Sequence, residues 1–260
     1  MDLGLNEHVY LVTGGSRGLG LAGAKALIAE GAKVVIAARD SDVVDSATNE
    51  LGPDSCVGLV GDLADPTTAE RLVAASVGRF GRIDGALISV GGPPPGTALT
   101  TEDAVWRESF ESIFLGPLRI ARAVASAIVA DPTVPSGHAG AIAFILSTSV
   151  RTPIAGLAIS NGLRPGLAML VKDLSDELAP RGIRVNALMP AHIATDRVFA
   201  LDARAGSPEL VRRRNEGAIP LQRYGEPDEF GRIAAFVLSP AASYITGSAI
   251  PIDGGALRSI

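Results

Sequence analysis

The stretch Thr13-Gly14-Gly15-Ser16-Arg17-Gly18-Leu19-Gly20 decides the fold. It stands between an apolar run, His8-Val9-Tyr10-Leu11-Val12-Thr13, and a segment from Gly20 to Glu30 that carries Leu21, Ala24, Leu27 and Ile28 at helical spacing and stops at Gly31. Strand, glycine-rich turn and helix in that order make a phosphate-binding unit. Glycine lets the backbone turn tightly and approach a pyrophosphate with no side chain in between. The helix start offers unpaired N–H groups and the positive end of a dipole. Three glycines alone are a weak pattern; the strand-turn-helix setting is what points to a dinucleotide. Gly14, Ser16, Arg17, Gly18, Leu19 and Gly20 are therefore candidate cofactor contacts, and the alternative is a purely structural turn.

Outward from the turn, the next strand, Lys33-Val34-Val35-Ile36-Ala37, ends in Ala38-Arg39-Asp40. An acidic residue at that tip would hold a ribose 2′-hydroxyl and select NAD, whereas arginine favours the 2′-phosphate of NADP. Here the tip is Ala38 followed by Arg39, and Arg17 adds a second guanidinium, so NADP(H) is expected in preference to NAD(H). The alternative for Arg39 is a solvated strand-end arginine, open to pairing with Asp40.

The same alternation continues along the chain. Helical patterns span 41–51, 66–80, about 101–130 with a break near Gly116-Pro117, 154–178 and much of 195–240. Between them, strand-like runs cover 55–60, 83–89, 139–146, 184–188 and 248–252. These runs are rich in Val, Ile, Leu and Ala and do not alternate with polar residues, which suits a parallel sheet covered on both faces. Strands alternating with helices imply βαβ units. No linker, repeat or second domain interrupts the pattern, so 1–260 reads as one α/β domain.

Composition narrows the function. Lys and Arg number 23 and Asp and Glu 28, a net charge of −5, which lacks the basic stripe of a nucleic-acid binder. Hydrophobic residues at 47% and charged residues at 20% describe a globular chain. The single cysteine, Cys56, excludes an internal disulfide and a multi-cysteine metal cage, and no metal ligand set is expected; Cys56 itself reads as a buried strand residue. No apolar stretch reaches the roughly 18–20 residues of a membrane span, and Met1-Asp2-Leu3-Gly4 has no secretory pattern. A cytoplasmic protein with a small-molecule substrate, no nucleic-acid partner and no membrane partner is expected.

The Thr-Gly-(x)3-Gly-x-Gly turn at 13–20 resembles that of the short-chain dehydrogenase/reductase family. So do Asp62-Leu63, Asn186 within Ile183-Arg184-Val185-Asn186-Ala187, Pro190 with Ile193-Ala194-Thr195, the run 220–227, Tyr244-Ile245-Thr246-Gly247 and Asp253-Gly254-Gly255. The resemblance spans nearly the whole chain and is nearest to 3-oxoacyl-carrier-protein-reductase-like members, with Gly91-Gly92-Pro93-Pro94-Pro95-Gly96 similar to a variant branch. It implies a single-domain, doubly wound Rossmann-type α/β fold with a seven-stranded parallel sheet, a nicotinamide cofactor across the carboxyl ends of the strands, and homotetramers or dimers packed through the last helices and strand. It places Asp62 and Leu63 at the adenine, Ile193 and Thr195 at the carboxamide and phosphate, and Gly91 and Pro190 among the cofactor contacts. It also implies a substrate-capping segment at about 195–217.

The family's catalytic pattern is a tyrosine that passes the proton, a lysine four residues on, a serine that orients the substrate oxygen, and a supporting asparagine. By that resemblance Ser147 keeps the serine position, Ser160 stands for the tyrosine, Arg164 for the lysine and Ile113 for the asparagine. No tyrosine lies between Tyr10 and Tyr224 to replace the phenol, and Tyr224 and Tyr244 fall in structural motifs. A serine hydroxyl is far less acidic than a phenol, and arginine stays charged and relays protons poorly. Ser160 and Arg164 share a helix face at i, i+4, but Pro165 is expected to start or kink the helix near Asn161. The candidate catalytic residues are thus Ser147, Ser160, Arg164 and His192. His192 is a proton donor or an ordinary loop histidine; Ser147 polarises a carbonyl or is structural; Arg164 stabilises an oxyanion, forms a salt bridge or contacts a cofactor ribose. Pro93 to Pro95 form a pocket wall or a rigid surface loop. The expected function is an NADP(H)-dependent oxidoreductase with an atypical catalytic set, and the alternative is a catalytically silent NADP-binding partner or sensor subunit.

Overall fold

The computed structural model describes residues 1–129 and 139–259. The chain runs β1 (Val9–Thr13), α1 (Gly18–Ala29), β2 (Lys33–Ala38), α2 (Ser41–Leu51), β3 (Cys56–Val60), α3 (Thr68–Phe80) and β4 (Gly85–Ser89). It continues with α4 (Asp103–Phe110), a π-helical turn over Glu111–Leu115, α5 (Gly116–Ala127) and β5 (Gly140–Ile145). Then come α6 (Ala158–Leu178), β6 (Ile183–Pro190), α7 (Asp196–Ala205), α8 (Pro208–Ala218), α9 (Pro227–Leu238) and β7 (Ala249–Ile252). The strands form one seven-stranded sheet in the order β3-β2-β1-β4-β5-β6-β7, and every pairing is parallel. This is the Rossmann-type architecture expected from the sequence.

The strands are apolar on both sides because both sides are covered. Leu11, Val35, Ile88 and Phe144 face one core with α3, α5 and α6. Their neighbours Tyr10, Val12, Ile36 and Leu87 face the other, with α1, α2 and α9. That is the period of two expected of a pleated strand. Cys56 is buried in the second core, and burial pushes its thiol up to about 11, so it is inert packing.

One local expectation holds and one changes. The helical run after Thr101 is interrupted next to Gly116-Pro117, as expected: the π turn at Glu111–Leu115 comes directly before it, and α5 resumes with Pro117 in its first turn. The end drawn at Ala130 lies outside the described residues. However, α6 does not begin at Asn161. It starts at Ala158 and continues through Pro165, while the Asn161 amide faces the preceding loop, accepting from Ile154 N at 2.9 Å and donating to Ile154 O at 2.8 Å. Pro165 lies early in the helix, where it breaks a single intrahelical bond. Ser160 and Arg164 therefore do share a buried face.

Phe230 on α9 is fully buried between α1 and the sheet. Phe230→Ala is expected to lower the unfolding free energy by about 3–5 kcal/mol in a urea titration. Leu99→Ala, at a side chain 97% exposed, is expected to change it by less than about 0.5 kcal/mol.

Candidate functional site

The site grows from the end of β1. Gly14 and Gly18 adopt φ of +59° and +54°, a region that favours glycine. Gly20 packs so tightly on the Gly14 carbonyl that a Cβ would overlap it, so α1 starts flush against the strand end. Arg17 caps α1 without a side-chain hydrogen bond, and no acidic residue occupies the first turn, which leaves the N–H groups free to meet an anion. Thr13 Oγ1 donates to Ser89 O at 2.9 Å and ties the ends of β1 and β4 together below the turn.

Two cavities of about 1190 and 730 Å³ adjoin here and share Gly14, Arg17, Ser89, Gly91, Gly92 and Pro93. Together they form a groove across the carboxyl ends of the strands, the place where ligands of open parallel sheets bind. The larger cavity is lined by Ser16, Arg39, Asp62 and Leu63 besides the turn. The smaller is lined by Gly18, Leu19, Pro190, Ile193 and Thr195. Gly20 lines neither and supports the turn from behind. Arg39 is exposed at the tip of β2. Asp40 does not turn to Arg39: it caps α2, accepting from Val43 N at 3.3 Å, and stands 3.9 Å from Arg17. That ion pair is loose and largely exposed, so it holds little energy against a competing phosphate. Pro93 lines both cavities and Pro94 the larger one; Pro95 lines neither.

The smaller cavity gathers all four candidate catalytic residues, Ser147, Ser160, Arg164 and His192. Ser147 Oγ accepts from Ser149 N at 3.1 Å, so its own proton is left for another acceptor. Ser149 and Ser160 hydroxyls pair at 2.9 Å, both buried. Arg164 forms no salt bridge among the described residues. Its Nη1 donates to Ile145 O at 3.1 Å and Leu146 O at 2.7 Å, and Nη2 to Gly91 O at 3.4 Å; Nε is buried without a partner. Burial, together with the nearby Arg197 charge, pushes the Arg164 guanidinium down to about 10, which leaves it charged at neutral pH. Ile113 lies in the π turn, packed with Val90 and Ile159 as an apolar cluster.

The sequence reading missed a phenol close to the cleft. Tyr224 is buried and its ring stacks on His192, with ring centroids 5.1 Å apart. Its hydroxyl donates to Asp202 Oδ2 at 2.8 Å and accepts from Asn215 Nδ2 at 2.9 Å. Burial pushes the phenol up to about 12, so Tyr224 keeps its proton and holds Asp202 in place. Arg212 lies over the Tyr224 ring at 5.2 Å. Asp202 and Arg197 also line the cleft, and the sequence reading did not single them out. They stand five residues apart on α7, and no motif marks them. Among the described residues no group of three or more His, Cys, Asp or Glu could hold a metal ion, and no helix is long and apolar enough to cross a membrane.

Sheet order, glycine turn and strand-end groove define a Rossmann-type domain with its site at the carboxyl edge. The family model described as enoyl-(acyl carrier protein) reductase matches residues 14–256. The chain is 34% identical over 249 residues to galactitol 2-dehydrogenase (L-tagatose-forming) of Cereibacter sphaeroides, covering 94% of this chain and 92% of that one. It is 31% identical over 255 residues to the 3-oxoacyl-[acyl-carrier-protein] reductase of Synechocystis sp., covering 96% and 97%. Among solved structures, L-sorbose reductase from Gluconobacter frateurii, complexed with NADPH and L-sorbose, superposes with a TM-score of 0.91 at 26% identity over 100% of both chains. The chain belongs to the short-chain dehydrogenase/reductase family, whose members named here are oxidoreductases.

Burial lowers the pKa of His192 from the ordinary 6.5, and the Asp202 carboxylate partly opposes that shift. The imidazole is therefore expected to titrate below 6.5 in an NMR pH series. Asp202→Asn removes the opposing charge and is expected to move the midpoint lower still; an upward move would contradict this arrangement.

Proposed function

We propose that the protein is an NADP(H)-dependent oxidoreductase that moves a hydride between the nicotinamide and a carbonyl or alcohol carbon. The observation that carries this reading is the groove itself, with a glycine turn at its centre and Arg17 and Arg39 at the end that would take the adenine ribose. Ala38 occupies the tip of β2, so no carboxylate stands there to meet a 2′-hydroxyl. The NADPH carried by L-sorbose reductase, with the same fold, supports the choice of nucleotide.

In this reading Gly14, Ser16, Gly18 and Leu19 present backbone to the pyrophosphate, and Gly20 keeps α1 close enough to help. Arg39 and Arg17 take the 2′-phosphate, and Asp62 and Leu63 border the adenine. Gly91, Pro190, Ile193 and Thr195 border the nicotinamide half. When bound, the cofactor supplies or accepts the hydride. Ser147 then donates to the substrate oxygen, since Ser149 N binds its oxygen and leaves the hydroxyl proton free. The Ser149–Ser160 hydroxyl pair braces that hydroxyl's turn from behind. Arg164 holds a fixed charge near a developing oxyanion, and His192 delivers or takes the proton. Residues 195–217, which include α7 and most of α8, cap the substrate side.

Incubation with NADPH and a panel of aldehydes, ketones and 3-oxoacyl thioesters, followed by nicotinamide absorbance, is the test. Turnover is expected, with kcat lowered about 100-fold in Ser147→Ala, the effect of losing one oxyanion donor. NADPH is expected to bind more tightly than NADH, and Arg39→Ala to cost about tenfold in NADPH affinity through the lost phosphate contact. Tight NADPH binding with no turnover on any substrate would instead describe a silent cofactor-binding chain.

We also propose a homo-oligomer, tetramer or dimer, built through the last helices and strand, where Ile233 on α9 is 38% exposed and Tyr244, between α9 and β7, is fully exposed. Light scattering is expected to give an integer multiple of the chain mass, and Ile233→Asp to shift it toward one chain.

A further inference from the structure

The smaller cavity holds an unbalanced charge. Arg17, Arg164, Arg197 and Arg258 line it, against Asp196 and Asp202. Asp202 is engaged by the Tyr224 hydroxyl and by Asn215. Asp196 forms no ion pair among the described residues, and neither do Arg164 and Arg197. Arg164 is 6% exposed, with backbone carbonyls as its only partners and Nε left without one. Arg197, second residue of α7, reaches across the cleft and donates through Nη2 to Pro93 O at 2.7 Å. Its guanidinium lies against the backbone of Gly92, where a Cβ would come within 2.5 Å of Cζ, so the absence of a side chain at 92 makes its seat.

Both guanidinium groups thus attach to one short loop, Arg164 to Gly91 O and Arg197 to Pro93 O. They are close enough that the charge of Arg197 helps to lower the Arg164 pKa. Arg164 is buried and Arg197 is exposed at the mouth of the cleft, so a buried positive charge stands behind a solvent-facing one, and an anion bound at Arg197 would offset the repulsion between them. The carbonyl to Pro93 occupies one donor of a fork that has five. A planar, two-oxygen anion matches that fork in shape and charge. The rest of the lining includes Leu146, Ile154, Leu157, Val198 and Leu201, which suits a short carbon skeleton and not a highly hydrated polyanion.

We propose that the substrate carries a carboxylate besides its carbonyl or alcohol carbon, and that Arg197 binds that carboxylate, with the charge of Arg164 behind it. The proposal rests on the oxidoreductase reading above and names its substrate class: short oxo acids or hydroxy acids. Arg197 is the specificity-determining residue.

Saturation-transfer NMR on the full chain, with and without saturating NADP+, would compare 2-oxobutyrate, acetoacetate and levulinate, each against its own methyl ester. At least one acid is expected to bind about tenfold more tightly than its ester, the effect of one partly desolvated charge contact. Arg197→Gln is expected to abolish that preference and Arg197→Lys to keep part of it, while NADP+ affinity stays within about twofold of wild type. Equal binding of every acid and its ester, or a preference that survives Arg197→Gln, overturns the proposal. A large fall in NADP+ affinity on Arg197→Gln overturns it too, because Arg197 would then serve the cofactor. If the wild-type chain binds no NADP+, the cofactor reading fails, yet the acid–ester comparison on the cofactor-free chain still decides the role of Arg197.

Discussion

The packing of Gly20 on the Gly14 carbonyl is the constraint on which the rest depends. It lets α1 begin directly above the end of β1, with its first N–H groups at the carboxyl edge of the sheet. A methyl group at residue 20 would push the helix away and open the turn. The same contact fixes where α1 meets α9 and the sheet, so the phosphate cradle and the second hydrophobic core are set by one close approach. The groove follows, since every parallel strand delivers its carboxyl end to that edge.

Positive charge organises the rest of the edge. Arg164 is held by the carbonyls that end β5 and by Gly91 after β4, and so fastens two strand ends where the polar backbone has no further sheet partner. A lysine has one compact charge; the arginine fork reaches several carbonyls at once. Arg164 is thus a brace between strand ends. Ile113, Val90 and Ile159 pack together as an apolar cluster. In the proposed mechanism proton delivery falls to His192, which rests on Tyr224 and faces the field of Asp202.

Elements with local causes were legible in the sequence. The strands declare themselves by Val, Ile and Ala runs such as Lys33–Ala38, and the first turn by its glycines. Local steric rules misled at Pro165: they predict a helix start near Asn161, but the buried anchors Ile159, Ser160 and Arg164 hold the first turns in place. The π turn before Gly116 has no sequence signature of its own. Residues of the first turn and of 190–195 could be grouped from the sequence because they come in contiguous motifs, and the structure brings them to one groove. The Tyr224–His192–Asp202 cluster was not, since its members lie on separate elements and meet only when α7 and the 219–226 connection fold over β6. Arg197 was not singled out for the same reason.

The account's central claim is that the glycine turn and the arginines beside it receive a phosphorylated nicotinamide nucleotide. Calorimetric titration of the full chain with NADP+ tests it most directly. One saturable site per chain is expected, lost or severely weakened in Gly20→Ala while the far-ultraviolet circular dichroism stays folded. No heat with either NADP+ or NAD+ would contradict it.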